Sequence, residues 1–464
     1  MPGVSAHVGP ALMDSLPSSP IATYRGPFTE RHATRLLWRA GFGPRPGQAR
    51  ALAELGLDGA VASLTRPSGR AVLSGAPPHN AQRQPLDPIN VWGDDHCWWL
   101  DRMVRSDQQL VERMTLIWHS WFATSIDASN AKLMLGQNRM MRGRALGNFH
   151  DLLLAVTRDP AMLLWLSGTS NTKYSPNENY GREVMELFTL GADRGAYTQH
   201  DVHQQARALT GFTNDWNESG PSNFRFDPSL HDTGVKKILG HRGRFDWRDT
   251  GRLCVEHPLH PSFMMAKLWG YFVGAPAPGG DQRALERTYV AGGYEVRPLV
   301  EAILRHPLFL EGPRMVIPPV VYCAGLLRAL NRTVETEDWA WIAEQTGQRL
   351  FEPPNVAGWD YAHWLDTSRW AGRFTAVTYA MQGRVLDPNG KKYPANENAS
   401  VAVSSALRHW GDPQLSAVTR RNLLAFSRRA QRAITADWEQ VSYRILRQNA
   451  LRALIPTTPD WQTC

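Results

Sequence analysis

The chain contains little that advertises a chemistry. Its 464 residues include only four cysteines, Cys97, Cys254, Cys323 and Cys464, which are far apart in sequence. No CxxC pair exists, which argues against a thiolate zinc site and leaves reduced, packed thiols as the simpler reading. No stretch approaches the roughly 20 apolar residues a membrane helix needs. Residues 1–26 have no basic start followed by an apolar run, so no secretory signal is read there. The expectation is a soluble, cytoplasmic protein with no membrane association. A Lys-rich block is also absent: the net charge of +8 comes from scattered arginines. Scattered charge reads as solvated helix faces and argues against nucleic acid as a partner. GxGxxG, GxxxxGK[ST], GxSxG and HExxH are all missing, so nucleotide, α/β-hydrolase and zincin chemistry lose support. No fixed-period repeat and no β–α alternation are found.

What is present fits a globular protein: 42% hydrophobic and 20% charged residues, with 18 tryptophans. That aromatic area can fill a core or line an apolar pocket. Residues 1–27, rich in Pro, Ser and Gly, read as a loose arm. Helical patterning begins near Glu30 and dominates the rest. Leu110, Met114, Ile117, Trp118, Trp121 and Phe122 form one apolar stripe on a helix over 107–124. Residues 212–250 lose that periodicity and predict a small β-hairpin or irregular insertion. The class is mainly α, with a large multi-helix core. Residues 28–383 make the principal domain, and 384–464 a C-terminal helical extension packed on it.

The densest signal lies at 174–191. Ser175 can cap a helix, Pro176 suits its first position, Glu178 completes a capping box and Gly191 can end it. Asn179, Arg182, Glu183 and Glu186 then fall at i, i+3, i+4 and i+7 on one face. Two carboxylates one turn apart can ligate a metal or divide acid and base roles, with Arg182 as charge partner. The competing reading is a solvated face opposite Tyr180, Val184 and Leu187. Further candidates are weaker. His119 lies opposite the apolar stripe as a ligand or base. His200 and His203 form an HxxH pair beside Asp201, which suits a cap for the helix begun at Thr198. His231-Asp232 sits in the irregular segment as a ligand pair, a dyad or a simple turn. Asn138, Arg142, Arg144 and Asn148 could bind an anion or lie on the surface. Asp94-Asp95 could hold magnesium and a diphosphate, or answer a helix N-terminus.

Several ordered segments resemble one family: 34–43 (TRLLWRAGFG), 118–125 (WHSWFATS), 145–149 (ALGNF), 158–162 (RDPAM), the 177–191 helix, 206–211 (ARALTG), His231-Asp232 and 353–359 (PPNVAGW). This pattern, from about residue 30 to about 380, is similar to that of the bacterial proteins of unknown function called DUF1800. The resemblance implies no established reaction. It implies that relatives are often exported and encoded beside a sulfatase-like DUF1501 protein, so such a protein is an expected partner. This chain departs from the pattern at Trp121, where relatives often carry a second histidine after the one at His119.

The leading expectation is a metal-dependent enzyme performing oxidative or hydrolytic chemistry on a small, anionic molecule. Its catalytic residues would be Glu183, Glu186, Arg182, His119 and Asp232. The metal, iron or manganese before zinc or magnesium, would sit on Glu183, Glu186, His119 and His231. Asn138, Arg142, Asn179 and Arg207 would bind the ligand. Two other expectations stand beside it: an all-α metal-assisted lyase or cyclase using Asp94-Asp95, and a non-catalytic scaffold for a DUF1501-like protein.

Overall fold

The computed structural model describes residues 21–218, 220–389, 397–433 and 440–464. It is mainly α-helical, as the periodicity predicts. Among the described residues the only sheets are two small antiparallel pairs, Phe212–Asn217 with Gly220–Phe226 and Lys236–Ile238 with His241–Gly243. Both fall in the segment where helical periodicity stops. Most of the expected arm, residues 1–20, and residues 390–396 and 434–439 of the expected C-terminal extension lie outside the described residues.

The helix Gln109–Trp121 forms the spine. All its residues but Val111 are buried, including Glu112, Arg113 and His119. An apolar stripe alone predicts one buried face. Here neighbours cover the polar face as well. Asp94–Arg105 and Ala131–Gly143 pack beside it through ion pairs, because Glu112 receives Arg142 at 2.8 Å and Arg102 at 3.1 Å. Gly143 closes its helix, and Asn148 caps the next, Phe149–Thr157, accepting the His150 and Asp151 N–H groups.

Two hydrophobic clusters fill the interior. One joins the first helices to residues 110–310 around Trp118, Trp121, Phe122 and Phe149. The other joins residues 97–104 to 317–461 around Trp99, Tyr322, Trp410 and Trp461. The second cluster therefore runs across position 383. Arg39 ties distant parts of the chain together by donating to the carbonyls of Phe272, Phe309, Pro313 and Cys464. Cys97, Cys254 and Cys323 are buried and all four thiols are free. Among the described residues, no helix is long and apolar enough to cross a membrane.

Candidate functional site

The acidic helix begins later than its composition predicts. Asn177, not Ser175, is the cap: its side chain accepts the Asn179 N–H, and the helix runs Glu178–Glu183. Glu178 is free of capping duty and becomes a receptor for three donors. Arg182 reaches it at 3.2 Å, Gln199 at 2.5 Å and His203 at 3.2 Å. Arg182 is thus the partner of Glu178 and not of the two later glutamates, and Asn179 is exposed. Gly181 lets this helix lie on Gln199–Ala208, since a Cβ there would stand 3.1 Å from the Ala206 nitrogen.

From Val184 to Thr189 the helix widens into a π-turn. Thr189 Oγ1 donates to the Val184 carbonyl at 2.5 Å, and the Leu190 N–H reaches back five residues to Met185. The carbonyls of this turn find outside donors: Lys267 Nζ on Leu187 at 2.9 Å and Trp121 Nε1 on Phe188 at 3.0 Å. Such turns are rare and concentrate at functional sites. Glu183 and Glu186 flank its start, both half-buried. Tyr197 donates to Glu186 at 3.4 Å, whereas no hydrogen bond or ion pair reaches the Glu183 carboxylate from a described residue. Burial, and then the charge of Glu186, lift the Glu183 carboxyl above the ordinary range, against a smaller opposing effect of Arg182.

The other candidates are dispersed. His119 is buried in an aromatic cage of Trp99, Phe351 and Trp359. Its Nε2 accepts the Phe351 N–H at 3.2 Å, and burial pushes it down to about 3. His231 Nδ1 bonds the Thr210 carbonyl at 2.9 Å. Asp232 takes the Arg207 guanidinium at 2.7 Å and the Gly234 N–H at 2.8 Å, which fastens the irregular segment to helix Gln199–Ala208. Burial alone would raise the Asp232 carboxyl, but the Arg207 contact, the Gly234 N–H and the Lys236 charge together outweigh it and the net direction is down. Arg142 is occupied by Glu112, with both guanidinium contacts at 2.8 and 2.9 Å. Asn138 is buried with both amide atoms unpartnered. Asp94 and Asp95 are buried at a helix start; Asp94 accepts the Asp87 N–H, and Asp95 lies 3.9 Å from Arg349. The expected set of Glu183, Glu186, His119 and His231 is therefore not brought together. Among the described residues, no group of three or more His, Cys, Asp or Glu side chains is placed to hold a metal ion.

Residues 35–463 match the family described as "Protein of unknown function (DUF1800)". The chain belongs to that family. The match continues well past residue 380, where the sequence pattern fades, and takes in the C-terminal helices. No curated protein and no solved structure matches the chain.

Three of the segments that carry the DUF1800 resemblance, 118–125, 177–191 and 353–359, meet in space. Trp359 of the PPNVAGW run packs on His119. Phe122 meets Phe188 of the π-turn at 5.0 Å. Trp121, two residues after His119, is a core residue: it is 1% exposed and stacks near Tyr271. Lys267 Nζ stands 4.4 Å over its ring. Burial pushes Lys267 down to about 7, although the cation–π contact favours its charged form. Sequence reading misses Lys267 because nothing in residues 260–272 marks that lysine as covered.

Proposed function

We propose that this DUF1800 protein is an enzyme that moves a proton on a small molecule, with Glu183 as the acid–base group. The carrying observation is a half-buried carboxylate without a hydrogen-bond partner, beside a second carboxylate at the mouth of a π-turn. A carboxyl lifted in this way holds a proton closer to neutral pH and can both give and take it. Glu186, held by Tyr197, lies nearby and adds to the lift that burial gives the first. Two carboxylates with no third donor make a poor cage for a resident ion, which favours acid–base chemistry over a metal centre. Hydrolysis or elimination fits this arrangement.

The test is a carbon-13 titration of the Glu183 carboxyl, paired with a panel of hydrolytic and elimination substrates. The expected midpoint lies above the ordinary carboxylate value and falls in Glu186→Gln. Any turnover should disappear in Glu183→Gln while the circular dichroism spectrum is unchanged. An ordinary midpoint for Glu183, or turnover untouched by Glu183→Gln, would sink the reading.

A further inference from the structure

Arg113 is a cation with no counterpart. It sits in the middle of the buried spine helix, 5% exposed, and no hydrogen bond or ion pair reaches it from a described residue. Its Nε and Nη1 are sealed from solvent and unpartnered. A buried guanidinium in that condition is expensive, and proteins almost always supply an anion or a set of carbonyls to relieve it. The other buried arginines of the core follow that rule: Arg39 holds four carbonyls, and Arg328 holds Gly43 O, Val104 O and Gln48.

Arg113 lines a cavity of about 50 Å³. Its polar neighbours there include three hydroxyls and the Gln348 amide, whose oxygen is taken by the Val320 N–H. Ser120 Oγ and Tyr361 Oη share a hydrogen bond of 2.7 Å, and Tyr271 Oη lies close to both. Arg39 is a second cation on the same wall. No Asp or Glu lines the cavity; the negative charge on its wall is at Cys464, which Arg39 holds at 2.7 Å and which also acts on Arg113 without a hydrogen bond to it. The outer wall is the segment around Tyr361, which is 43% exposed although its hydroxyl turns inward to Ser120. Arg39 is answered by its own oxygens, so Arg113 and the three hydroxyls beside it are what remain to receive a further negative group.

We propose that this chamber binds the carboxylate end of a small organic acid, with Arg113 as its anchor. A guanidinium fork matches a planar carboxylate with two parallel hydrogen bonds. The aromatic and aliphatic walls of Trp38, Ile117 and Trp364 suit an apolar remainder. The site stands on different residues from the Glu183 centre and does not depend on it.

The experiment is thermal unfolding and calorimetric titration of the full chain against acetate, benzoate and succinate, with inorganic phosphate and sulfate as separate arms. At least one carboxylate should raise the melting temperature in a concentration-dependent way. Arg113→Met should bind that acid at least about tenfold more weakly. Because the unliganded arginine is unpaired, Arg113→Met should melt no lower than the wild type without ligand. Tyr361→Phe, which keeps the ring, should fold normally and bind more weakly. Glu183→Gln should bind like the wild type. The proposal falls if no carboxylate binds, if Arg113→Met binds equally well, or if phosphate or sulfate binds better than every carboxylate. It also falls if Arg113→Met melts well below the wild type without ligand, since the arginine would then be structural.

Discussion

Gly358 rests against the backbone of Ser120: a Cβ at Gly358 would lie 2.9 Å from the Ser120 carbonyl oxygen. The residue also has φ +89°, which an L side chain rarely adopts. The PPNVAGW run is thus a close-fitting cover on the spine helix. The next residue, Trp359, cages His119, and Tyr361 bonds Ser120.

Gly358→Ala should therefore lower stability by roughly 2 kcal/mol or more, from the strained dihedral and from displacement of the Ser120 backbone. Urea unfolding measures it. Because the same movement lifts Tyr361, the variant should also bind the proposed organic acid more weakly.

Glu112→Gln should cost about 3–5 kcal/mol. Glu112 is 1% exposed and answers two guanidinium groups, Arg102 and Arg142, at 3.1 and 2.8 Å. Removing its charge leaves both in a poorly solvated place, the expensive way to break such a group. A loss below about 1 kcal/mol in denaturant titration would contradict the reading of Arg142 as a structural residue.

Glu183 should make the protein less stable as pH rises. Its carboxyl is lifted in the folded state, so between the unfolded and folded values the native chain holds the extra proton. Stability from this group is complete below the unfolded carboxylate value and is lost as pH climbs through the folded one. Glu183→Gln should be at least as stable as the wild type at pH 7, the difference shrinking toward pH 4. Unfolding midpoints across that interval give the answer.

Lys267 has the opposite sign. Burial places it at about 7, below the 10.5 of a free lysine, so the unfolded chain holds one more proton between those values. Its contribution should make stability rise with pH from about 7 to 10.5. In Lys267→Met that slope should vanish. The slope is the readout, because methionine also abandons the Leu187 carbonyl that Lys267 bonds. A nitrogen-15 titration of the wild-type ammonium group should show a midpoint close to 7.

Local chemistry made much of the fold readable. Thr198 and Asp201 form the expected capping box of helix Gln199–Ala208, since both partners lie within four residues. The loss of period near 212 marks the two β pairs because a hairpin needs only neighbouring chain. Gly191 adopts φ +87° where the acidic helix ends, a choice set by its missing Cβ.

The site followed different rules. A 3.6-residue period cannot anticipate a π-turn, whose carbonyls are satisfied by Trp121 and Lys267 from remote helices. It cannot tell which glutamate an arginine will choose, and Arg182 chose Glu178 because Gln199 and His203 gather there too. Nor can it see that Arg113 is enclosed, since spacing reads every arginine as a surface residue. The sequence by itself determined family, helical class and the Thr198 cap, because those depend on near neighbours. Tertiary packing decided which charges lost their water and which stayed unpaired, because desolvation is a property of everything that surrounds a group.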